Sequence, residues 1–366
     1  MTEQAASPLS YPCPACGARI EFAAGTNVLR CPYCQHEQQV AVSDRQVQEH
    51  DFAALLATQR KPVASLGKYN YACQRCAAHT ESDLIAQVCQ FCGSPLVADL
   101  NPADLVVPEA VLPFGLDRKA VRTALQGWVS SRWFAPTTLK KVSEAESLQG
   151  TYLPHWTYDA KTRSYYTGQR GEHYWDTETY TTTDSDGNSR TETRQVQRTA
   201  WYPTSGNVAR AFDDVLVPGS THATAQRVDE LAPWPLEQAV PYQGDYLAGY
   251  QALRYDVEPE AGLDLAKQQM ATVIESDCRD DIGGDEQRVS DVQTQYDAIT
   301  YKLMLLPVWL VCYLHAGKQF QVMVNARTGE VIGSRPYSKI KITLAVLGGL
   351  LLIAAIVVAI VLARRH

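Results

Sequence analysis

The 366-residue chain carries 33 basic and 40 acidic side chains, a net charge of −7, which excludes the strong positive bias that proteins use to hold a polyanion. Apolar residues make up 45% of the chain, so a sizeable core can form, and the length predicts two or three folding units. Residues 1–10 (MTEQAASPLS) lack the basic and apolar regions of a signal peptide. We therefore expect the chain to fold in a reducing compartment, the cytoplasm.

Eight of the ten cysteines form four C-x-x-C pairs before position 93. Pairs grouped two and two are typical of metal sites rather than of a secreted disulfide framework. We predict two small β zinc ribbons, over 11–42 and 69–97, that bind two zinc ions per chain. The predicted ligands are Cys13, Cys16, Cys31 and Cys34 in the first ribbon and Cys73, Cys76, Cys89 and Cys92 in the second. A closed four-thiolate shell leaves no position for a catalytic water, so both sites are expected to be structural. Redox-active dithiols and a rubredoxin-like iron are the alternatives.

The segment between the ribbons, 43–68, is predicted to be a helical connector that begins at Ser43 or Asp44 and ends at Lys61-Pro62. Over residues 1–100 there are seven basic and nine acidic side chains, a net charge of −2. A nucleic-acid module usually carries a basic stripe, so protein contact is the favoured role for the ribbons.

Residues 105–337 are predicted to form an α+β body of helices on antiparallel strands, with two amphipathic helices over about 117–134 and 259–277. Three landmarks recur in the same order and suggest an internal duplication with repeats 105–204 and 215–336. The first copy has Ala110-Val111-Leu112-Pro113-Phe114, a helix, and Leu153-Pro154-His155-Trp156; the second has Ala239-Val240-Pro241-Tyr242, a helix, and Leu306-Pro307-Val308-Trp309. A long polar, Thr-rich hairpin is predicted over 172–202, with its turn at Asp186-Gly187-Asn188.

Catalytic motifs are missing from the body. Gly67-Lys68 does not form a Walker loop, and neither HExxH nor GxSxG occurs. His155 is expected to be a core histidine, the acidic run over 277–286 a solvated loop, and Cys278 and Cys312 inert thiols. We therefore predict that the protein is not an enzyme, although a site around His155 or the acidic run stays open as a hypothesis.

Residues 342–362 run for 21 positions without a charge or a proline, about 31 Å as a helix. We predict a transmembrane helix there, and hence a single-pass, tail-anchored protein of the cytoplasmic (inner) membrane with its N-terminal domains in the cytoplasm. Small residues four apart, such as Ala345 and Gly349, are compatible with self-association of this helix in a homo-oligomer.

The knuckles Cys13-Pro14-Ala15-Cys16-Gly17 and Cys31-Pro32-Tyr33-Cys34, the second cysteine set and the apolar terminal segment resemble a family of bacterial membrane-anchored double zinc-ribbon proteins. Members carry labels such as transcription factor IIB-type zinc ribbon or primosomal protein N-prime (replication factor Y)-like. A helicase needs ATP-binding loops that this chain lacks, so that activity is not carried over. The resemblance implies partners of the stomatin/flotillin or phage-shock type at the cytoplasmic membrane face.

Three functional hypotheses follow. The first is a non-enzymatic, membrane-tethered adaptor or scaffold whose zinc ribbons and body dock protein partners. The second is a nucleic-acid-binding replication or transcription accessory protein held at the membrane, whose binding would weaken steeply with salt. The third is an enzyme with a site in the body.

Overall fold

The structure is a computed structural model that describes most of the chain. The described residues are 11–41, 43–58, 60, 62–63, 68–73, 79–89, 94–98, 100, 105–131, 148–183, 189–221, 225–315, 318–333 and 339–363.

The first ribbon is a three-stranded antiparallel sheet, with strands β1 (Glu21–Phe22), β2 (Val28–Arg30) and β3 (Glu37–Gln39). The apolar side chains Phe22 and Leu29, one on each of the first two strands, are buried. The connector that follows is mostly extended. It holds the short strand β4 (His50–Asp51) and one six-residue helix, α1 (Phe52–Ala57), capped by the Asp51 carboxylate. The helix is shorter than predicted and begins later than Ser43 or Asp44.

The second ribbon region contributes two hairpins. Strands β5 (Tyr69–Ala72) and β6 (His79–Ser82) pair with each other, whereas β7 (Ala86–Val88) and β8 (Pro95–Val97) join the edge of the main sheet. Strand β9 (Ala110–Val111) follows, and then helix α2 (Arg118–Ser130), whose first turn is capped by the Asp117 carboxylate.

The body is dominated by three very long strands. These are β10 (Gln149–Thr183), β11 (Ser189–Pro218) and β14 (Glu286–His315), with β10 in the centre. The remaining elements are β12 (Val240–Pro241), β13 (Gln251–Ala252), helix α3 (Pro259–Ile282), β15 (Lys318–Asn325), β16 (Val331–Gly333) and helix α4 (Lys339–Ala363). Short 3₁₀ turns at Ala225–Leu231, Leu236–Gln238 and Gly244–Leu247 connect them.

The predicted α+β class with antiparallel strands is wrong in two respects. Of the described residues, 46% lie in strands and 25% in helices, so the described part of the chain is mostly β. The large sheet is also mixed, because β9 runs parallel to β14 and β13 runs parallel to β10. Sequence patterning gives the period of a strand but not the direction of its neighbour, which depends on how distant segments meet.

A pseudo-twofold axis relates two strand–helix–strand units of this sheet. The axis passes between Leu153 of β10 and Leu306 of β14, which lie opposite each other in antiparallel register. Across it, the unit of β9, α2 and β10 corresponds to the unit of β13, α3 and β14. The short first strand of each unit pairs in parallel with the long strand of the other.

The hydrogen bonds repeat across this axis. The indole N–H of Trp309 donates to the carbonyl of Leu116 at 2.9 Å, and that of Trp156 donates to Val257 at 2.9 Å. The carbonyls of Pro154 and Pro307 likewise accept N–H groups from residues that follow β11 and β15, at 2.9 and 3.1 Å. These matched bonds show that the two units share one geometry, and the internal duplication with repeats 105–204 and 215–336 stays a prediction.

One predicted landmark of that duplication lies elsewhere. The second-unit counterpart of Ala110–Phe114 is the segment from Gln251 to Tyr255, not Ala239–Tyr242. Phe114 packs against Trp309 with ring centroids 5.3 Å apart, and Tyr255 packs against Trp156 at 5.1 Å. The segment 240–241 is β12, which pairs antiparallel with β9 itself.

The prediction of a transmembrane helix over 342–362 is wrong. In α4 the described side chains are Thr343 and those of 346–357, all exposed. Among the described residues, no helix is both long and apolar enough to cross a membrane. This finding overturns the span over 342–362 and, with it, the single-pass, tail-anchored, inner-membrane assignment.

Candidate metal centre

The four cysteines of the first ribbon converge on one point. Their Sγ atoms all lie within 4.8 Å of one another, with Cys13 and Cys34 3.6 Å apart and Cys16 and Cys31 3.7 Å apart. Four sulfurs placed tetrahedrally at about 2.3 Å from a zinc ion would be about 3.8 Å apart. The cluster could therefore hold one metal ion, and its donors fit a tetrahedral thiolate site.

Both pairs of this cluster are presented by the same backbone turn. The N–H of the first cysteine, Cys13 or Cys31, donates to the carbonyl five residues later, and the N–H four residues later donates back to the cysteine's carbonyl. The residue after each second cysteine is left-handed, with φ of +70° at Gly17 and +61° at Gln35. Glycine adopts this conformation without steric cost. At Gln35 the side chain donates to the carbonyl of Pro32 at 3.2 Å, which helps to hold the turn.

The backbone also favours a thiolate at Cys31. Burial raises the pKa of this thiol, but the N–H groups of Cys34 and Tyr33 point at the sulfur and outweigh that effect, so the pKa falls to about 7. Metal ligation requires the thiolate form. The turn therefore favours the thiolate at Cys31, whereas at Cys34 the neighbouring sulfurs outweigh the N–H of His36 and raise the pKa to about 12.

The ribbon is part of the body's core rather than a separate module. Its side chains Ile20, Phe22 and Leu29 belong to the same buried apolar cluster as Phe114 and Trp309. Backbone bonds join the two parts as well. The N–H of Phe22 donates to Ala248 at 3.0 Å, and that of Gly25 donates to Phe114 at 2.8 Å. The first ribbon and helix α2 therefore share one buried core.

The second predicted site is described in part. Cys73 and Cys89 are buried in a small cluster with Tyr71 and Leu96. The N–H of Cys89 donates to the carbonyl of Ser94 at 2.8 Å, five residues later, as in both turns of the first ribbon. The other two predicted ligands, Cys76 and Cys92, lie outside the described residues.

Other residues singled out in the sequence form no catalytic arrangement with one another. His155 is fully buried, and its Nδ1 lies 3.2 Å from the carbonyl of Leu153. Asp277 pairs with Arg210, and Asp281 accepts the Tyr166 hydroxyl at 2.7 Å. Asp277 and Asp281 of the acidic run therefore make structural contacts from α3. Cys278 is buried on the same helix, and the side chain of Cys312 lies outside the described residues.

A buried ionic cluster, which the sequence did not predict, lies where the connector meets the sheet. The ammonium of Lys302 on β14 contacts the carboxylates of Glu49 and Asp214. Asp159 completes the cluster and accepts the N–H of Asp214 at 2.8 Å and the hydroxyl of Thr300 at 3.0 Å. Burial lowers the pKa of Lys302, but its bonds to Asp214 and Glu49 outweigh that effect and raise it. The ammonium takes the place that a metal ion would occupy among these carboxylates.

A cleft of about 790 Å³ opens between the connector and the sheet. Its polar groups engage one another: the buried Glu109 carboxylate bonds to His50 Nε2 at 3.0 Å and to the N–H of Gln48 at 3.1 Å, and Arg45 donates to the Glu109 carbonyl. No signal in the sequence placed Glu109 beside the connector, because the two are far apart along the chain. The cleft holds a satisfied network rather than an arrangement of nucleophile and base.

Comparisons with known proteins give a distant sequence resemblance that extends over most of the chain. No family model matches the chain, and no solved structure matches it. The chain is similar to an uncharacterized Bacillus subtilis protein, YdjG, at 23% identity over 342 residues, which cover 91% of this chain and 92% of that protein. The similarity therefore extends over the ribbon region and the body together, rather than over the cysteine knuckles alone.

Proposed function

We propose that the protein is a non-enzymatic adaptor in which structural zinc fixes an N-terminal docking platform on a duplicated β body. The convergence of four thiols on one tetrahedral point carries this proposal. A shell of four protein ligands has no open position for substrate or water, which is the hallmark of a structural rather than a catalytic zinc site.

The choice of zinc rests on the donor set. Four thiolates in tetrahedral geometry suit zinc and, as the alternative, iron. We propose zinc at both predicted sites, two ions per chain. The repeated turn at Cys89 supports the second site.

Protein partners fit the platform better than nucleic acid does. The first hundred residues carry a net charge of −2, whereas phosphate backbones are held by basic side chains. The described ribbon surface also exposes aromatic groups such as Tyr33, and aromatic residues are enriched at protein interfaces. Partners of the stomatin/flotillin or phage-shock type remain a prediction.

The test combines metal analysis with partner capture. Elemental analysis of the purified full-length chain should give two zinc ions, and affinity capture should return a stoichiometric protein partner. The variant C31S/C34S should lose one zinc and that partner, whereas C278S, which removes a buried thiol outside the cluster, should keep both. Binding of the chain to DNA or RNA that weakens steeply with salt would contradict the adaptor and support the nucleic-acid alternative.

A further inference from the structure

Beyond the body, β10 and β11 continue alone as a two-stranded ribbon. Strand β14 leaves β10 at the pair Gly171–Glu286, whereas β10 and β11 remain paired out to Thr183 and Ser189. We call residues 172–183 and 189–200 the arm. Its strands are paired in constant register, so the odd-numbered residues of both strands share one face and the even-numbered residues share the other.

The even-numbered face of the arm is charged, but its charges are paired within the arm. Asp176 pairs with Arg198 at 3.0 Å, and Glu178 pairs with Arg194 at 2.8 Å. This face carries four acidic and three basic side chains in all. It therefore offers no excess of positive charge to a ligand.

The odd-numbered face carries no charge over positions 175–183 and 189–197. Its ten residues are one tryptophan, two glutamines and seven threonines or serines, and all ten are exposed. The β propensity of threonine does not explain this composition, because it would act on both faces. Over the same stretch the even-numbered face has only Thr182. The odd-numbered face therefore presents an array of uncharged hydrogen-bonding groups beside one aromatic ring.

Trp175 and the residues around it form the candidate site on this face. The tryptophan is 66% exposed, and no described residue stacks on its indole or bonds to its N–H. Gln197 lies directly opposite Trp175, and Gln195 lies opposite Thr177, the next residue of β10 on this face. Opposite and diagonal neighbours on one face of a β-ribbon are about 5 and 7 Å apart. Two amides and a hydroxyl are therefore within reach of a ligand that stacks on the indole.

The chemistry of this face distinguishes between classes of ligand. An apolar protein surface would need apolar groups around Trp175, and the neighbouring positions are amides and hydroxyls instead. A nucleic acid would need cations for its phosphates, whereas Arg194 and Arg198 lie on the other face in ion pairs. A sugar needs an aromatic ring for the C–H groups of its pyranose face and neutral donors and acceptors for its hydroxyls. The odd-numbered face supplies both.

We propose that the odd-numbered face of the arm binds a neutral glycan, with one sugar ring stacked on Trp175 and its hydroxyls bonded to Gln195, Gln197 and Thr177. The C–H groups of the sugar carry partial positive charge and lie against the negative face of the indole. The hydroxyl array continues to Thr183, roughly 27 Å along the strand. Because each neutral hydrogen bond contributes little net free energy in water, a chain that occupies several positions binds more tightly than a single sugar.

Affinity electrophoresis of the full-length chain tests the proposal. Native gels would contain glycogen (an α-glucan), laminarin (a β-glucan) or a mannan, all of them neutral, or heparin as a polyanion. At least one neutral polysaccharide should retard the chain, and heparin should not. A chain that none of the three neutral polymers retards would overturn the proposal. Binding of single-stranded DNA that is lost in W175A would also contradict it, and would assign the ring to a nucleic acid.

Substitutions at the arm separate the two faces. Trp175→Ala should weaken retardation at least about tenfold, a typical factor for the loss of one stacking ring, and Trp175→Phe should recover part of the binding. The matched control is Tyr174→Ala, which removes a ring that is 47% exposed on the opposite face of the same strand and should bind as the wild type does. Full binding by W175A, or equal weakening in W175A and Y174A, would refute the assignment.

A circular dichroism spectrum and a zinc content equal to those of the wild type would show that each variant is folded. The proposal is independent of the adaptor role, because metal content and partner capture do not depend on Trp175.

Discussion

Strands β10 and β11 run through both the body and the arm, which consists of residues 172–183 and 189–200. The two regions are stabilised by different interactions. In the body, β10 is covered on both sides: Tyr152 and Trp156 are buried on one face, in clusters with the first ribbon, α2 and α3, and Leu153 is buried on the other. In the arm, β10 is paired with β11 alone and its side chains face water. The backbone pairing of β10 with β11 is the same in both regions, but apolar burial supplies most of the folding free energy. The paired strands are therefore rigid in the body and only marginally stable in the arm, where their edges are exposed.

Of the changes considered, removal of the metal should lower the stability of the ribbon and the body most. Structural zinc contributes on the order of 10 kcal/mol to small zinc modules. Because Ile20 and Phe22 share a cluster with Trp309, loss of the ion should also loosen the body. Chelation should lower the thermal midpoint and expose amides of β1, β2 and α2 to hydrogen exchange. Unchanged exchange at α2 would mean that the ribbon folds independently of the body.

Acidification should release the metal before the body unfolds. The pKa of Cys31 is lowered to about 7, so its thiolate is present above that pH and is lost as the pH falls through it. Metal affinity, measured by competition with a zinc chromophore, should therefore drop steeply below pH 7. A flat affinity between pH 8 and pH 5.5 would argue against thiolate ligation.

The pseudo-twofold axis provides a matched pair of core substitutions. Trp309 and Trp156 are both buried and donate equivalent hydrogen bonds. Trp309→Ala and Trp156→Ala should each cost about 3–5 kcal/mol of unfolding free energy. Only the first borders the ribbon, so only W309A should weaken zinc retention, as measured by dissociation in the presence of a chelator. Equal zinc loss in both variants would show that general destabilisation, not contact with the ribbon, controls the site.

The sequence was sufficient for the parts of the molecule that local spacing determines. Four cysteines at C-x-x-C spacing predicted a cluster, and Asp117 predicted the start of α2, since capping and knuckle geometry involve residues within one turn. The Leu-Pro-x-Trp motifs at Leu153 and Leu306 lie at equivalent positions of the pseudo-twofold arrangement, and the tryptophan of each motif packs in the core of its unit.

What the sequence could not provide depends on contacts between distant segments. Lys302 and Glu49 are more than 250 positions apart, so no pattern joined them before the fold did. The parallel pairing of β9 with β14 and the location of the second landmark at Gln251–Tyr255 have the same origin. The apolar run in 342–362 was assigned to the membrane from composition alone, an inference that its described side chains do not support.

The ionic cluster tests how the connector is tied to the body. Lys302→Met removes the ammonium that contacts the carboxylates of Glu49 and Asp214. Among the described residues of this cluster, it is the only positive charge that contacts them. Both carboxylates are about one-third exposed, so water offsets part of the loss, and we expect a cost of about 2 kcal/mol. Chemical denaturation measures it, and Lys302→Arg, which keeps the charge, should recover part of the stability. A variant as stable as wild type would mean that the connector is held by α1 packing alone.

The smallest effect should come from the arm. Trp175 is 66% exposed, so Trp175→Ala removes little buried surface, and we expect the unfolding free energy to change by no more than about 0.5 kcal/mol. The same substitution at Trp309 is predicted to cost several times as much, although both residues lie on long strands of one sheet. Denaturation at low protein concentration isolates the monomer. A loss above about 1.5 kcal/mol there would mean that Trp175 is buried in the folded chain and that the arm folds back onto the body.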